Sequence, residues 1–375
     1  MAGVYFHIPF CKQACHYCDF HFSTSLKYKD EMVQAMIREL RIRKSYLGGQ
    51  RIESIYFGGG TPSLLTPDNI QGLIDEVGAQ FNVADNAEIT LEANPDDLDA
   101  AKVNALKQTP VNRFSIGIQS FFEEDLRWMN RAHSAAEAHE AISRVQQAGY
   151  DNITVDLIYG YPLLTDDRWR YNINEVLRAG VPHVSAYSMT VEPRTALASF
   201  VRKGVQAPMD EGQSARQFEQ LMDMLGAEGF EHYEISNFAK PGRYARHNSN
   251  YWKGVPYLGV GPSAHSFDGE SRQWNVPNNA RYLKALQAGE LPFQRETLTE
   301  KDKLNEHIMT TLRTMWGLDL TVVESRFGKE VGESIRSAIQ PFLSKGHLSV
   351  AGQHVTLTRK GKLLADHIAA ELFLD

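Results

Sequence analysis

The chain has 375 residues, of which 42% are hydrophobic and 23% are charged, so it is long enough for about two globular domains. Its 39 Lys and Arg against 46 Asp and Glu give a net charge of −7, which excludes a global basic field that draws it to nucleic acid or anionic lipid. Its apolar runs fall short of the ~20 residues of a transmembrane helix, and its start lacks the pattern of a signal peptide. We therefore expect a cytoplasmic protein.

The first part of the chain alternates between predicted strands and helices. Residues 3–9 predict a strand, residues 27–47 a helix with one apolar face, and residues 52–57 a second strand. Pro67 opens the next helix, and Thr66 is its predicted cap. Later strands are expected at 88–93, 113–119, 152–159 and 183–189, and later helices near 99–108, 123–129, 134–148, 167–179 and 210–228.

Strand–helix repetition of this kind gives parallel strands that are joined by crossovers. The sequence therefore predicts an α/β fold, a partial (β/α)6 barrel over residues 1–235. Several polar residues lie at or just beyond strand ends, the rim that carries active sites in βα barrels.

The alternation of predicted strands and helices does not continue in the rest of the chain. Residues 236–298 are rich in Gly, Pro, Asn and aromatic residues, which predicts an irregular segment over the barrel mouth. Residues 299–375 predict a small winged-helix-like α+β domain. Residues 300–375 hold ten Lys and Arg and ten Asp and Glu, so they lack the basic stripe that phosphate contacts require. We expect this domain to cover the barrel or to dock a partner, with no nucleic acid bound.

The three cysteines of the chain, Cys11, Cys15 and Cys18, lie within eight residues. An odd, clustered set in a cytoplasmic chain predicts a metal site rather than disulfides. Three thiolates would leave one iron of a [4Fe–4S] cluster open to a ligand with amino and carboxylate groups. The alternative is a structural zinc ion with one histidine ligand. The candidate histidines for such a site are His7, His16 and His21.

A family resemblance rests on this loop and on further segments of the chain. The string Tyr5-x-His-Ile-Pro-Phe-Cys-x3-Cys-x-Tyr17-Cys is similar to that of radical-SAM proteins related to oxygen-independent coproporphyrinogen III oxidase. The resemblance covers nearly the whole chain and implies a [4Fe–4S] cluster that binds S-adenosylmethionine (SAM). The other segments that carry it are 57–62 (Phe-Gly-Gly-Gly-Thr-Pro), 91–95 (Leu-Glu-Ala-Asn-Pro), 115–119, 130–131 (Asn-Arg), 156–160 (Asp-Leu-Ile-Tyr-Gly) and the C-terminal domain.

The resemblance also implies which residues form the SAM pocket. Gly59 and Gly60 have no side chain, so the backbone can approach the SAM ammonium closely. Arg131 can pair with the SAM carboxylate. Taken alone, each of these residues has a local alternative, such as a turn glycine, a solvated helix end or a cap. The implied SAM-binding residues are Tyr5, Tyr17, Gly59, Gly60, Thr61, Glu92, Gln119, Arg131 and Asp156.

Two features set the chain apart from the coproporphyrinogen enzymes. Those enzymes carry a further Cys two residues after the third, where this chain has Phe20. The string His247-Asn-x-x-Tyr251-Trp252 is similar to the signature of the HemW heme chaperones. The resemblance therefore identifies the chain as a member of that radical-SAM family.

The resemblance implies heme contact at this string. His247 is a candidate axial ligand of the heme iron, because histidine is a common heme ligand. Tyr251 and Trp252 can stack on the porphyrin. The alternative is a structural loop whose histidine caps backbone groups. Further candidates are Arg243 and Arg246 for the propionates, and His232 and His265 as competing ligands.

Two functions remain open at this stage. The chain is either a chaperone that binds heme and hands it to acceptor proteins, expected to be respiratory and in some cases membrane-associated, or a coproporphyrinogen III dehydrogenase. In the second case, reductive cleavage of SAM would start the oxidative decarboxylation of two propionates to vinyl groups. The His-Asn-x-x-Tyr-Trp string and Phe20 favour the chaperone. The acceptor, the turnover of SAM and the oligomeric state stay open.

Overall fold

The computed structural model describes residues 1–374, and its first part is a partial barrel of parallel strands. The barrel strands are β1 (Ala2–Ile8), β2 (Ile52–Gly59), β3 (Val83–Ala93), β4 (Arg113–Gln119), β5 (Ile153–Tyr159) and β6 (His183–Ser188). The helices that alternate with them are α1 (Lys29–Ile42), α2 (Pro67–Gln80), α3 (Ala100–Leu106), α4 (Glu123–Trp128), α5 (Ala135–Gln147) and α6 (Asp166–Arg178). Neighbouring strands pair in parallel in chain order, which confirms the predicted (β/α)6 architecture.

Alternation along the strands separates the core from the barrel interior. Val4, Phe6 and Ile8 are at most 1% exposed and pack in the main hydrophobic core, whereas the intervening Tyr5 stacks on Tyr56 of the neighbouring strand. Successive side chains of a strand point to opposite faces. The interior of the barrel therefore carries polar and aromatic groups that can hold a ligand.

Local signals explain some helix boundaries better than others. The hydroxyl of Thr66 accepts the backbone N–H of Asn69 at 3.1 Å and starts α2, as predicted. Helix α1 ends at Ile42, before the predicted residue 47. Gly48 and Gly49 follow with φ of +57° and +76°, left-handed conformations that favour glycine and belong to a turn.

The segment after strand β6 holds more regular secondary structure than the sequence predicts. It holds α7 (Ala196–Arg202), α8 (Glu211–Ala227), β7 (Glu231–Glu234), β8 (Asn237–Ala239), α9 (Arg246–Trp252), β9 (Tyr257–Val260), β10 (His265–Phe267), β11 (Ser271–Asn275), α10 (Asn279–Gln287) and β12 (Phe293–Thr297). These strands extend the barrel sheet to 12 strands in the order β12-β11-β10-β9-β1-β2-β3-β4-β5-β6-β8-β7. Residues 236–298 therefore differ from the expected irregular segment. Their strands have only three to five residues each, so local periodicity does not reveal them.

The C-terminal domain has its own hydrophobic core, which includes Leu304, Ile308 and Leu312. Its three-stranded antiparallel sheet has the order β13-β15-β14 and, with the helices, gives the predicted winged-helix-like α+β arrangement. Its elements are α11 (Glu300–Leu312), β13 (Leu318–Asp319), α12 (Leu320–Phe327), α13 (Lys329–Ala338), α14 (Gln340–Ser344), β14 (Leu348–Ala351), β15 (His354–Leu357), α15 (Arg359–Lys362) and α16 (Ala365–Glu371). Within residues 1–374, no helix has the length and apolar character to cross a membrane.

Candidate cluster and SAM site

The loop that carries the cysteines follows β1 and is clamped by the turn after α4. Asn130, in the left-handed region with φ of +58°, donates its side-chain amide to the carbonyl of Ala14 at 2.7 Å. It also accepts the side-chain amide of Gln13 at 2.6 Å. The backbone N–H of His16 donates to the carbonyl of Met129 at 3.0 Å. These bonds hold the loop between its first and last cysteine. Asn130 is therefore a positioning residue, and it is not among the site residues that the sequence predicts.

Cys11, Cys15 and Cys18 are half-buried and form no disulfide. Burial raises the pKa of the Cys18 thiol to about 12 and also raises the pKa of Cys11, which a hydrogen bond from Thr61 opposes. Thr61 is 3% exposed and therefore lies beneath Cys11 rather than open to a ligand. Such thiols ionise readily only beside a strong positive charge, which bound iron provides.

Arg131 lies between the cysteines and the strand ends. Its guanidinium donates to the side-chain oxygen of Asn94 at 2.7 Å, to the carbonyl of Gly117 at 3.0 Å and towards the Cys15 sulfur at 3.5 Å. Its Nε atom is buried and has no hydrogen-bond partner among residues 1–374. An unpaired buried donor on a charged group is costly, and an anionic ligand such as a carboxylate would satisfy it.

The histidines proposed for a zinc site already have other partners. His7 Nε2 lies 2.8 Å from the carbonyl of His21, whose own Nε2 lies 2.7 Å from the side-chain oxygen of Asn279. His16 Nδ1 lies 2.9 Å from the carbonyl of Trp128. In the described part of the chain, no three His, Cys, Asp or Glu side chains converge on a single metal ion. The histidine contacts favour the cluster over zinc, and the thiols with Arg131 fit a cluster that a further ligand completes.

Two buried carboxylates face the barrel interior. Glu92 accepts the Tyr56 hydroxyl at 2.7 Å, and burial raises the pKa of Glu92 to about 7. Asp156 accepts the Ser115 hydroxyl at 3.1 Å, and burial raises its pKa to about 6. Surrounding protein and the nearby Asp156 and Glu92 raise the pKa of Tyr187, whose side chain is 47% exposed. The interior can therefore receive a ligand with positive charge or hydroxyl groups.

The glycines after β2 are required by close packing. Gly59 has a φ of +100°, and a Cβ there would lie 2.6 Å from the ring of His7. A Cβ on Gly60 would lie 2.6 Å from the carbonyls of Ile8 and Phe10. Neither position accepts a side chain, which adds a packing reason to the expected approach of SAM.

The remaining predicted SAM residues lie beside these groups. Gln119 ends β4 with a strained φ of +64°, and its amide nitrogen would lie 3.0 Å from a Cβ on Gly117. Tyr17 packs against the main core beside Arg131, and burial raises its pKa. The contacts thus link the predicted SAM residues into one region at the carboxyl ends of the strands. Asn94 belongs to it as well and could be found from the Leu-Glu-Ala-Asn-Pro segment.

His247 lies at the opposite end of the barrel. The Glu88 carboxylate accepts the backbone N–H groups of Arg246 at 2.9 Å and His247 at 3.0 Å, which starts α9. The Nδ1 atom of His247 lies 2.9 Å from the Ser54 hydroxyl, and its ring stacks on Tyr56 at 5.0 Å. Burial lowers the pKa of His247 to about 4, so the imidazole is neutral at pH 7. Its contacts thus run from the amino ends of β2 and β3 to the middle of β1 and β2, where the ring also stacks on Tyr5 at 6.3 Å.

Tyr251 and Trp252 share α9 with His247 but contact a different surface. Tyr251 is 43% exposed, and its ring lies 5.3 Å from Trp252. The guanidinium of Arg313, from the C-terminal domain, lies 5.4 Å from the centre of the Trp252 ring. The structure therefore places these two aromatic residues at an outer junction between barrel and C-terminal domain, while the His247 ring contacts the barrel strands.

The other heme candidates differ in their availability. Arg243 pairs with Asp151 at 2.7 Å, and Arg246 donates to the carbonyl of Asn86 at 2.8 Å. Among the competing histidines, His265 is exposed. His232 is not: its Nδ1 lies 2.8 Å from Lys362 Nζ and its Nε2 lies 3.0 Å from the carbonyl of Ile235. These partners would have to be exchanged before Arg243, Arg246 or His232 contacts heme.

Comparisons with known proteins agree with this fold. Residues 5–176 match the family model of the radical SAM superfamily, and residues 298–364 match the HemN C-terminal domain. A solved structure of coproporphyrinogen III oxidase (HemN) from Escherichia coli, described as a radical SAM enzyme, has a TM-score of 0.85 over 99% of this chain and 90% of that chain, at 22% identity. The chain is thus a radical-SAM protein by fold and by family model.

Curated relatives narrow this class. The Bacillus subtilis relative is 32% identical over 98% of each chain, and the Escherichia coli relative is 33% identical over 99% of this chain and 98% of its own length. A Mycobacterium tuberculosis relative is 35% identical over 99% of this chain and 94% of its own length. Each of them is named heme chaperone HemW. The chain belongs to the HemW family.

Proposed function

We propose that the chain is a heme chaperone that binds heme and transfers it to acceptor proteins, with respiratory enzymes as the expected class. The observation that carries the proposal is the full-length similarity to relatives of that name. The His-Asn-x-x-Tyr-Trp string on α9 supports it. Phe20, which stands where the coproporphyrinogen enzymes have a fourth Cys, is 64% exposed and supports a departure from their chemistry.

The proposed cofactors are a [4Fe–4S] cluster on Cys11, Cys15 and Cys18, and SAM. When bound, the cluster supplies one-electron chemistry and a position at which SAM can ligate iron. The chain itself would orient SAM: Arg131 through the carboxylate, and Glu92 with Asp156 through the ammonium or the ribose hydroxyls. Heme contact is proposed for α9, through Tyr251 and Trp252 on its outer surface and through His247, whose ring would have to leave Ser54 and Tyr56 to reach the same heme.

Hemin titration of the anaerobically reconstituted protein tests the proposal. We expect saturable binding with a Soret band, followed by transfer of the heme to an apo-acceptor such as a heme-depleted respiratory b-type cytochrome. His247→Ala should weaken or shift the Soret band while the iron–sulfur signal stays intact. Failure of the wild-type protein to bind hemin would contradict the proposal.

The second candidate is coproporphyrinogen III dehydrogenase, because the SAM pocket serves either function equally well and does not separate them. Anaerobic incubation with coproporphyrinogen III, SAM and a reductant separates the two candidates. The chaperone should leave the porphyrinogen unchanged. The dehydrogenase would remove two carboxyl groups per molecule, and robust conversion at substrate excess would reverse our choice.

A further inference from the structure

A cluster of aromatic and basic side chains spans the junction between α9 and the C-terminal domain. The ammonium of Lys253 lies 4.4 Å from the centre of the Trp316 ring, and the guanidinium of Arg313 lies 5.4 Å from that of Trp252. Tyr251 stands beside Trp252, with ring centres 5.3 Å apart. We call these five residues the aromatic patch. The barrel and the C-terminal domain each contribute one tryptophan and one cation to the patch. Each tryptophan is contacted by the cation of the other domain.

The C-terminal half of the patch is held in place by backbone bonds. The N–H of Ile235 donates to the carbonyl of Arg313 at 3.1 Å, and the N–H of Met315 donates to the carbonyl of Tyr233 at 2.9 Å. These bonds attach the turn after α11 to strand β7. The position of Trp316 relative to α9 is therefore set by paired backbone rather than by flexible side chains alone.

The patch has the chemistry of a surface for a flat, apolar ligand with carboxylates. Its aromatic surface continues from Tyr251 to Tyr257 at 5.8 Å and from there to Phe267 at 6.5 Å. Met315, 36% exposed, lies between Arg313 and Trp316 in the same turn. Aromatic faces stack on other flat π-systems, and cations at the edge attract carboxylates. Lys253 and Arg313 lie over indole rings, and Arg313 also pairs with Asp366, so a ligand with two carboxylates would have to displace Asp366 and draw both cations aside to stack on those rings.

We infer that the aromatic patch is the porphyrin-binding surface and that the C-terminal domain supplies part of it. The inference rests on the proposed heme-binding function and extends it to Lys253, Arg313 and Trp316. The macrocycle stacks on the indole of Trp252 or Trp316. Tyr251, whose ring stands at 87° to that of Trp252, meets its edge, and the propionates pair with the two cations. The C-terminal domain is then a part of the heme site and not only a cover for the barrel.

Hemin titration of full-length reconstituted variants tests the inference. Trp316→Leu should raise the heme Kd by about ten-fold, because buried aromatic contacts dominate such surfaces. Lys253→Ala and Arg313→Ala should each raise it by about three-fold, as expected for charges at a solvent-exposed edge. The matched controls are Lys240→Ala, whose ammonium lies 4.5 Å from the Phe230 ring centre, and Trp274→Leu on β11. Both controls should keep the wild-type Kd.

A second ligand separates the contribution of the heme carboxylates from that of the aromatic ring system. With hemin dimethyl ester, which lacks free propionates, Lys253→Ala and Arg313→Ala should bind like the wild type, while Trp316→Leu stays weak. Wild-type hemin affinity in all three variants would overturn the inference and leave the chaperone proposal standing. A lower melting temperature with unchanged heme Kd would also overturn it, because the patch would then only join the domains. Absence of hemin binding in the wild type would overturn both.

Discussion

The two ends of the barrel are built in different ways. At the carboxyl ends of the strands, the cluster loop and the SAM region draw on short segments that directly follow β1, β2, β3 and β4. At the amino ends, α9 is held by Glu88 and Ser54, which are 159 and 193 residues away from His247 in sequence. Motifs therefore reveal the first site almost completely, whereas the second is assembled by folding. Tyr56 joins the two, because its ring stacks on His247 and its hydroxyl donates to Glu92.

The largest expected effect is loss of the cluster. Cys11→Ala, Cys15→Ala or Cys18→Ala should each abolish the uptake of about four iron and four sulfide per chain, because three thiolates are the protein ligands of a site-differentiated cluster. Iron and sulfide analysis after anaerobic reconstitution measures this. Hemin binding should persist in these variants, since the heme surface lies at the other end. Stoichiometric zinc in place of a cluster would disprove the assignment.

Arg131→Ala should weaken SAM binding by about ten-fold or more, because a charged hydrogen bond contributes about 1.5–3 kcal/mol. Calorimetry on the reconstituted protein measures the SAM affinity. The matched control is Arg127→Ala, an arginine of α4 with a 76% exposed side chain that pairs with Glu123. The control should retain wild-type affinity, and an unchanged SAM affinity in Arg131→Ala would remove this residue from the site.

Glu92 should make SAM binding depend on pH. Its pKa of about 7 without ligand means that the folded chain favours the protonated form, so its contribution to stability is present below the ordinary pKa of 4.5 and is lost as pH rises through 7. A positively charged ligand favours the carboxylate instead. SAM affinity should therefore rise by up to about ten-fold between about pH 6 and pH 8, with release of a proton.

Calorimetry in buffers of different ionisation enthalpy counts that proton. Glu92→Gln should bind SAM with little pH dependence over the same range. A wild-type pH profile in this variant would assign the titration to another group, with Asp156 the next candidate because its pKa is about 6.

The smallest expected effect concerns the hydrogen bond that holds His247 of α9 against strand β2. Ser54→Ala removes the 2.9 Å hydrogen bond to His247, which should cost about 1 kcal/mol of stability, while the His247 pKa stays low because burial lowers it in both proteins. Chemical denaturation measures the loss of stability, and histidine NMR titration checks the pKa. Ser185→Ala is the control, because Ser185 bonds to Asn237 and not to α9. SAM binding should be unchanged in both variants, and a loss of SAM affinity in Ser54→Ala would show that the two ends are coupled.

The sequence predicts the barrel well because its strands and helices carry their own signals. Residues 113–119 alternate as a strand, and Thr66 with Pro67 marks a helix start without any distant contact. Other elements lack such signals. Helix α7 has seven residues and was not predicted, and β8 and β10 have three residues each. Elements of that length carry too little periodicity to be recognised in the sequence, and β8 and β10 are defined by their pairing with neighbouring strands.

The residues of the candidate sites also fall into two groups, those that a sequence motif reveals and those that only the fold brings together. Cys11 and its two partners, Glu92 and Arg131 stand in recognisable segments, so their chemistry can be argued before the structure is known. The contacts of the His247 ring with Ser54 and Tyr56 cannot be inferred from the sequence, because they depend on how residues from distant segments pack. The patch residue Trp316 likewise has no sequence signal, since its role follows from the contact of one domain with another.

The most direct test of the account is the distance between porphyrin and cluster. Pulsed dipolar EPR can measure it in protein that holds the reduced cluster and copper(II) protoporphyrin IX, a heme analogue whose metal stays paramagnetic. Strand β1 has seven residues and separates the two ends by about 20 Å at ~3.3 Å per residue, so we expect a separation above about 20 Å. A separation below about 12 Å, less than the span of that strand, would place the porphyrin beside the cluster and contradict the account.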